Sequence, residues 1–303
     1  MNVFPKLQHY YIKHLIAEGG TASIYCGIDL RSGFPVAIKE LKFKAIKNQI
    51  IKDNFRNFET QLYLYLHYPK PHPNIPQLKD FIEDPNTGQL YLVMEFIQGR
   101  DLEHYIYKEI GLIPENKALP MFLEILDTVA YLHNCRIPPL GIKNGLLHLD
   151  IKPNNVMLLP DGKIKLIDLG IASRMTDASV TSTGLGFGTL AYMPPEQFEK
   201  KICGKYTDVF ALGVLLFEML TGRLPFSSNS REELRNMIKF SPTPIMRQFY
   251  PMIGEELQYI VERALAKEPE HRYQSCEEFA MCIKDYMKRK KSDNYEDYQY
   301  RKK

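Results

Sequence analysis

The sequence predicts an α+β fold in which a small antiparallel β-sheet precedes a larger, mainly helical part. Short β-rich runs separated by turn residues fill the first ninety-odd residues, whereas apolar residues recur at helical spacing after Gly99. The chain has 303 residues. This length suits either one large domain or two lobes, because single hydrophobic cores stop growing near roughly 250–300 residues.

Five short β-rich runs predict the strands of the sheet. They are Tyr11–Ile16, Ser23–Ile28, Pro35–Leu41, Gln77–Glu83 and Leu90–Phe96. Glycine-containing turns separate the first three runs, and a turn with proline and glycine at 84–88 joins the last two as a hairpin. Between the third and fourth runs, Phe55, Phe58, Leu62 and Leu66 recur at helical spacing, which predicts one helix beside the sheet.

Helices dominate the rest of the chain. A helix is predicted from about 118 to 133, followed by short strands around the turn at Gly162 and by a polar, glycine-rich segment at 174–188. Two later helices, at 257–265 and 279–287, each carry a single apolar stripe. Such stripes indicate core packing rather than chemistry.

Composition excludes several functional classes. The chain is 45% hydrophobic and 25% charged, which is typical of a globular protein. Its 39 basic and 36 acidic residues leave a net charge of +3, too balanced to predict a nucleic-acid partner. The five cysteines are far apart and form no CxxC pair, so we expect buried or half-buried thiols in a reducing compartment. They are Cys26, Cys135, Cys203, Cys276 and Cys282.

Neither a signal peptide nor a membrane span is predicted. Pro5 and Lys6 interrupt any apolar run at the start of the chain. The most apolar stretch, Ala211–Leu220, includes Glu218 and is about half as long as a membrane span. We therefore expect a cytoplasmic chain, with Ala211–Leu220 as a buried core helix. The tail, Lys288–Lys303, is almost entirely charged, tyrosine or polar, so we expect it to be disordered.

Two features of the β-rich part suit phosphate binding. Ala17–Ile24 contains Gly19 and Gly20 between two predicted strands, and a loop with so little side-chain bulk can lie over phosphates. Taken alone, such a hairpin is more often merely a turn. Lys39 ends an apolar strand, and a lysine held over phosphates needs an acidic partner, for which Glu59 is the natural candidate. Considered alone, this pair would more simply be a solvent-facing lysine and a solvated glutamate.

A third feature follows the predicted helix at 118–133. Within six positions the chain presents a carboxylate at Asp150, an ammonium at Lys152 and an amide at Asn155. Asp150 can accept or orient a hydroxyl proton, Lys152 can meet a transferring phosphoryl group, and Asn155 can bind a metal. Asp168 follows thirteen residues after Asn155 and is an oxygen ligand of the hard type that magnesium prefers.

Together and in this order, these segments resemble the eukaryotic-like, or Hanks-type, serine/threonine protein kinases, from about Tyr11 to Met287. Met94–Ile97 resembles the hinge of that family. The Pro-Pro-Glu ending at Glu196 stands where the family has Ala-Pro-Glu, and Arg272 resembles the structural partner of that glutamate. Phrases such as LTGRLPF and EPEHRYQS are most similar to bacterial members of the family.

The resemblance implies a two-lobed protein kinase fold. The expected kinase domain covers 1–287, with an N-lobe at about 1–96, a C-lobe at about 100–287 and the tail at 288–303. The implied activity is ATP- and magnesium-dependent transfer of the γ-phosphate to serine and threonine hydroxyls of proteins, including autophosphorylation, with Mn²⁺ as an alternative metal. Protein substrates are the expected partners, with no nucleic acid and no membrane segment. The sequence names neither the substrate nor an oligomeric state.

The resemblance also assigns roles to individual residues. The implied catalytic residues are Asp150, Lys152, Lys39 and Glu59. The implied nucleotide-binding residues are Ala17, Gly19, Gly20, Ile24, Ala37, Lys39, Met94, Glu95, Ile97 and Met157. The implied metal ligands are Asn155 and Asp168. Within these sets, Ile24, Ala37 and Met157 would enclose the adenine ring, and the backbones of Glu95 and Ile97 would face its edge.

Besides the first proline of Pro-Pro-Glu, four positions depart from the family pattern, and Cys135–Leu147 is longer than the family's usual link from helix to catalytic loop. Ala17 and Ala22 replace two glycines of the phosphate-binding loop, and Leu169 replaces a phenylalanine. Leu149 replaces the arginine that pairs with a phosphorylated activation loop in many relatives. We therefore expect phosphorylation of that loop to change activity only weakly. The candidate phosphate acceptors are Thr176, Ser179, Thr181, Ser182 and Thr183.

Two other functional classes share this fold. A catalytically inactive scaffold, or pseudokinase, would have lost Lys39, Asp150, Asn155 or Asp168, and all four are present. A small-molecule kinase acting on antibiotics or choline would lack the Pro-Pro-Glu segment and the peptide-docking loop around Thr189. An active protein kinase is therefore the preferred interpretation.

Overall fold

The computed structural model describes residue 7 and residues 9–20, 22–42, 47–67, 71–169, 173–174 and 187–300. The chain divides into two compact units. The sheet unit comprises Met1–Gly99, Ile137–Leu140 and Lys165–Gly170. The helical unit comprises Arg100–Arg136, Gly141–Ile164 and Ile171–Lys303. The predicted α+β class is confirmed, with an antiparallel sheet in one unit and helices in the other.

Five antiparallel strands form the sheet, in the order β1-β2-β3-β5-β4. They are β1 (Tyr10–Glu18), β2 (Ala22–Asp29), β3 (Pro35–Leu41), β4 (Leu78–Glu83) and β5 (Leu90–Glu95). All five predicted strands are therefore present. Short turns and the 84–88 hairpin connect neighbouring strands, which is the connection that antiparallel pairs allow.

The two faces of the sheet bury different apolar clusters. Val36 and Ile38 of β3 lie in one cluster with Val93 of β5. Leu41 of β3 lies in the other, together with Phe55 from the neighbouring helix. Side chains alternate along a strand, and β3, β4 and β5 each contribute residues to both clusters. The sheet is thus covered by the helix on one face only among the described residues.

The helix beside the sheet is a continuous run of three segments. These are α1 (Gln49–Asp53), a π-helical turn (Asn54–Glu59) and α2 (Thr60–His67). Phe55, Leu62 and Leu66 are buried, as the apolar spacing predicts, whereas Phe58 is half-buried. Glu59 occupies the position between Phe55 and Leu62 on the same stripe and is only 3% exposed. The helix therefore points one carboxylate into the sheet unit.

The helical unit contains the remaining elements. Its helices are α3 (Leu102–His104), α4 (Glu115–Asn134), α5 (Phe187–Leu190), α6 (Pro195–Phe198), α7 (Lys205–Thr221), α8 (Arg231–Phe240), α9 (Glu255–Ala264) and α10 (Cys276–Tyr300). Its short strands are β6 (Arg100–Asp101), β7 (Leu146–Leu147), β8 (Val156–Leu158) and β10 (Ser173–Arg174), and β9 (Ile164–Leu166) crosses the sequence boundary between the units. Strand β6 pairs with β8, and β7 pairs with β10.

Helix α7 is the buried centre of the helical unit, as the apolar stretch predicts. A Cβ atom on Gly213 would lie 2.8 Å from the Cβ of Ala264, so this glycine lets α7 and α9 approach closely. Gly222 ends α7 with a φ of 68°. A Cβ there would lie 2.0 Å from the carbonyl oxygen of Gly111, so only glycine fits.

Helix α10 differs from the disordered tail that the sequence predicts, because it continues through the tail to Tyr300. Two charged contacts fix its tail portion to the helical unit. The Lys290 ammonium lies 2.7 Å from both carboxylate oxygens of Glu115 on α4. Arg289 pairs with Glu256 on α9. Composition alone suggests disorder here, but these partners lie far away in sequence and could not be anticipated from the tail itself.

The five cysteines follow the expectation of buried or half-buried thiols. All five cysteines are free thiols, three of them buried and two half-buried. Within the described ranges, none of the helices combines the length and the hydrophobicity that a bilayer span requires.

Candidate active site

One face of the sheet carries four of the predicted nucleotide-binding residues. Ala37 and Lys39 share a face of β3 because side chains two residues apart point the same way. In the strand register, Ile24 lies opposite Lys39 and Met94 lies opposite Ala37. All four side chains are half-buried. The sheet therefore brings an aliphatic surface and one ammonium group together.

The glycine-containing loop is a tight hairpin between β1 and β2. Ala17 pairs with Ile24, and the N–H of Gly19 donates to the carbonyl of Ala22 at 2.9 Å. A Cβ on Gly20 would meet no atom within 4 Å. Neither Ala17 nor Ala22 has a positive φ, so alanine is sterically acceptable at both positions where the family has glycine.

The predicted hinge is held by contacts within the sheet unit. The Glu95 N–H donates to the carbonyl of Gln77 at 2.7 Å, and the Glu95 carboxylate accepts from Lys165 Nζ at 2.8 Å. An adenine contact from the Glu95 backbone would therefore have to come from its carbonyl. Ile97, the other predicted hinge contact, is half-buried. Lys165 lies in the middle of β9. The bond from Lys165 to Glu95 is one contact that joins Lys165–Gly170 to the sheet unit.

Lys39 lies between two carboxylates of the sheet unit. Its Nζ lies 2.6 Å from Glu59 Oε1 and 3.0 Å from Asp168 Oδ1. Burial alone lowers the pKa of Lys39, but the charges of Asp168 and Glu59 outweigh it and raise the pKa well above its ordinary value. The Lys39 ammonium is therefore a fixed positive charge. The Asp168 side chain remains 47% exposed, so its carboxylate is accessible to solvent.

Tyr63 is a contact of this network that the sequence analysis missed. It lies one helical turn after Glu59 and is 1% exposed. Its hydroxyl oxygen accepts a hydrogen bond from the N–H of Leu169 at 3.2 Å. The i,i+4 spacing from Glu59 is the one sequence signal that could have indicated Tyr63, because such residues share a helix face.

The helical unit brings together the three polar residues of the predicted catalytic loop. Lys152 Nζ lies 2.9 Å from each oxygen of Asp150 and 3.2 Å from the hydroxyl of Thr189. Asn155 Nδ2 donates to the Asp150 carbonyl at 2.8 Å and to Asp150 Oδ2 at 3.0 Å. The Asp150 carboxylate is thus oriented by an ammonium and an amide, which leaves it able to accept a further proton donor.

Asp208, at the start of α7, anchors the backbone of this loop. Its two oxygens accept the N–H groups of His148 and Leu149, both at 2.8 Å, and His133 Nε2 lies 2.8 Å from Oδ2. Burial raises the pKa of Asp208, but these hydrogen bonds and the nearby imidazoles outweigh it and lower the pKa. Leu149 has a φ of 63°, and this anchoring maintains the strained conformation just before Asp150.

A small pocket adjoins the catalytic loop within the helical unit. Its lining is mostly apolar and consists of Leu149, Asp150, Ile151, Thr189, Tyr192, Met193 and Ala211. Asp150 therefore provides the one carboxylate in a largely apolar lining.

Met157, the last predicted nucleotide contact, lies on β8 opposite Asp101 and is half-buried.

A buried ion pair joins the glutamate of the Pro-Pro-Glu segment to Arg272. Arg272 Nη1 and Nη2 lie 2.7 and 3.0 Å from the two oxygens of Glu196, and both side chains are at most 4% exposed. The Arg272 guanidinium also donates to the carbonyls of Ala266 and Lys267. This is the partnership that the resemblance implies, and it is structural, since neither group is accessible to a ligand.

Most of the predicted segment at 174–188 lies outside the described residues. The five candidate phosphate acceptors, Thr176, Ser179, Thr181, Ser182 and Thr183, are among them.

The two predicted metal ligands suit a hard divalent cation. Asp168 offers an accessible carboxylate, and Asn155 uses its NH₂ group toward Asp150, so its carbonyl oxygen is the atom suited to a cation. Across the described part of the chain, no cluster of three or more His, Cys, Asp or Glu side chains could hold a metal ion. Magnesium keeps several waters and takes one or two protein ligands together with phosphate oxygens, so each of these donors is of a type that it binds.

Comparisons with known proteins agree with this geometry. A family model described as the protein kinase domain matches residues 10–285. Serine/threonine-protein kinase PrkC of Bacillus subtilis is 33% identical over 276 residues, which are 91% of this chain and 40% of PrkC. Serine/threonine-protein kinase PknA of Mycobacterium tuberculosis is 31% identical over 278 residues, which are 90% of this chain and 60% of PknA. The chain thus spans about two fifths to three fifths of the length of these relatives.

Proposed function

Because the chain belongs to the protein kinase domain family, we propose that it transfers the γ-phosphate of ATP to serine and threonine hydroxyls of proteins. The family implies the use of ATP and a divalent metal ion, and we propose Mg²⁺, with Mn²⁺ as an alternative. The kinase domain would cover 1–287, with lobes at about 1–96 and 100–287. The free thiols fit a cytoplasmic location.

The observation that carries this proposal is the environment of Asp150. A general base must lie within hydrogen-bond reach of the proton that it accepts, and the Asp150 carboxylate is held by Lys152 and Asn155 beside a small, largely apolar pocket. In the proposed step, the substrate hydroxyl oxygen forms a bond to the γ-phosphorus while the bond from that phosphorus to the β–γ bridging oxygen breaks. The hydroxyl proton passes to Asp150, and ADP is the leaving group.

Residues of the sheet unit would bind the nucleotide. Lys39, fixed by Glu59, would neutralise the α- and β-phosphates, and Ala17, Gly19 and Gly20 would lie over them. The aliphatic side chains of Ile24, Ala37, Met94 and Met157 would contact adenine, with Glu95 and Ile97 at its edge.

The metal and Lys152 would neutralise the phosphate charge that Lys39 leaves. Asp168 and Asn155 would hold the metal, which, when bound, neutralises phosphate charge and aligns the γ-phosphate. Lys152 would stabilise the charge on the transferring group, since its ammonium already lies between Asp150 and Thr189.

Selectivity for serine and threonine is supported by relatives that bear that name. It is also supported by the contact between Lys152 of the predicted catalytic loop and Thr189 of the predicted peptide-docking loop. The substrate proteins themselves are not specified by these contacts.

Transfer from radiolabelled ATP tests the proposal directly. The purified chain is incubated with Mg²⁺, [γ-³²P]ATP and casein as a generic acceptor, and the labelled protein is hydrolysed for phosphoamino-acid analysis. We expect phosphoserine and phosphothreonine, in casein or in the chain itself. Nucleotide binding without any transfer would instead indicate a pseudokinase scaffold, and label on choline or an aminoglycoside but not on protein would indicate a small-molecule kinase.

A further inference from the structure

We propose that Tyr63 is a positioning residue for the metal-binding carboxylate, because its hydroxyl oxygen holds the main chain immediately after Asp168. This inference rests on the proposed function, since it assumes that Asp168 binds a divalent metal together with the nucleotide. It adds a residue outside the motifs that indicate the function.

The contacts of the sheet unit form a closed ring around Asp168. The Asp168 carboxylate bonds to Lys39 at 3.0 Å, and Lys39 bonds to Glu59 at 2.6 Å. Four residues after Glu59, on the same helix face, Tyr63 accepts the N–H of Leu169 at 3.2 Å. One helix therefore restrains the Asp168 segment in two ways. Glu59 acts on the Asp168 side chain through Lys39, and Tyr63 acts on the main chain at Leu169.

The two restraints act on different groups. The Lys39 contact uses the Asp168 carboxylate, which is the group that a cation would share. The Tyr63 contact uses the adjacent N–H, which a cation leaves untouched. It is therefore the restraint that does not compete with metal binding.

The main chain at Asp168 needs such a restraint. Asp168 has a φ of 64°, in the left-handed region that a residue other than glycine adopts only at a cost. Leu169 is 1% exposed, so its N–H has no ready access to water if Tyr63 cannot accept it. Loss of the hydroxyl should therefore let Asp168 leave the conformation that directs its carboxylate to the metal.

Tyr63→Phe removes the acceptor while keeping the buried ring, so it creates no large cavity. Tyr65→Phe is the matched control, because Tyr65 lies on the same helix but is 38% exposed. In calorimetry with a non-hydrolysable ATP analogue, we expect Tyr63→Phe to raise the Mg²⁺ concentration at half-maximal binding about three- to tenfold, the effect of one hydrogen bond. Tyr65→Phe should match the wild type, and affinity for the analogue without Mg²⁺ should be equal in all three proteins.

Amide hydrogen exchange provides a readout that does not depend on activity. The Leu169 amide should be protected in the wild type and in Tyr65→Phe, and should exchange faster in Tyr63→Phe. An unprotected Leu169 amide in the wild type would overturn the inference, whatever the stability of the variant. An unchanged Mg²⁺ requirement in Tyr63→Phe would also overturn it and leave the proposed function intact, whereas a wild type without Mg²⁺-dependent nucleotide binding would overturn both.

Discussion

Leu149 and Cys203 belong to one buried apolar cluster, together with Leu147. Leu149 is 5% exposed and occupies the position before Asp150 where many relatives have an arginine. Its N–H and carbonyl are both used within the helical unit, by Asp208 and Gln197. The side chain at this position therefore contributes packing and offers no donor to a phosphate.

This contact leads to a prediction about activation. Charge-assisted bonds from an arginine to a loop phosphate contribute about 1.5–3 kcal/mol each, and Leu149 can form none. We predict that replacing Thr176, Ser179, Thr181, Ser182 and Thr183 with alanine changes kcat/KM less than about tenfold relative to autophosphorylated wild type. Steady-state kinetics on both proteins and on phosphatase-treated wild type measure this effect. A loss of a hundredfold or more, with an unchanged circular dichroism spectrum, would show that another basic residue binds the phosphate.

The buried pair of Glu196 and Arg272 should be essential for stability. Removing one partner leaves the other charge buried without compensation, so Glu196→Gln should lower the free energy of unfolding by about 3–5 kcal/mol. Glu255→Gln is the matched control, since the contact of Glu255 with Arg247 is exposed and should contribute about 0–1 kcal/mol. Urea unfolding compares the two variants, and similar losses in both would contradict the prediction.

Glu218 should make stability depend on pH. Its burial raises its pKa to about 7, although the hydroxyls of Tyr107 and Tyr192 donate to it and lower the pKa in part. The native protein therefore binds this proton more tightly than the unfolded chain, so the contribution of Glu218 to stability falls as pH rises from 4.5 to about 7. We expect the difference in unfolding free energy between wild type and Glu218→Gln to decrease by roughly 1–3 kcal/mol across this range.

Urea titrations between pH 4.5 and 8 measure that difference, with Glu232→Gln as a control for an exposed glutamate. A difference that stays constant across this range for Glu218→Gln would mean that its carboxylate has the same pKa in the native and the unfolded protein, which would contradict the prediction.

Removal of the Asp168 carboxylate should abolish the metal requirement of nucleotide binding. We predict that wild type binds an ATP analogue tightly only with Mg²⁺, and that Asp168→Ala binds it weakly with or without the metal, because the protein's carboxylate ligand is lost. Calorimetry with and without Mg²⁺ provides the comparison. Equal affinities of wild type and Asp168→Ala in the presence of Mg²⁺ would exclude Asp168 as the ligand.

Much of this architecture could be predicted from local patterns. Alternation along β3 predicts that Ala37 and Lys39 share a face, and the stripe through Phe55 and Leu62 predicts the helix that carries Glu59. These features depend on neighbours within a few residues. The order of the polar motifs along the chain predicts the residues of the candidate active site.

Features that depend on distant partners could not be predicted in the same way. The Tyr63 contact requires that the helix pack against Leu169, which lies 106 residues later in the chain. The helical part of the tail is held by the contact of Lys290 with Glu115, which lies 175 residues earlier in the chain. Composition gives the opposite expectation for the tail, because it records charges but not the groups that neutralise them.

Single-turnover rates of ³²P transfer to casein show whether Asp150 and Lys39 carry out phosphoryl transfer. We predict that Asp150→Asn and Lys39→Met each lower the rate by at least about a hundredfold, the scale of lost proton transfer or lost charge stabilisation. The exposed-site controls Asp161→Asn and Lys13→Met should match wild type, and circular dichroism should show all five proteins folded. Near-wild-type transfer by either Asp150→Asn or Lys39→Met would show that the replaced residue is not needed for phosphoryl transfer.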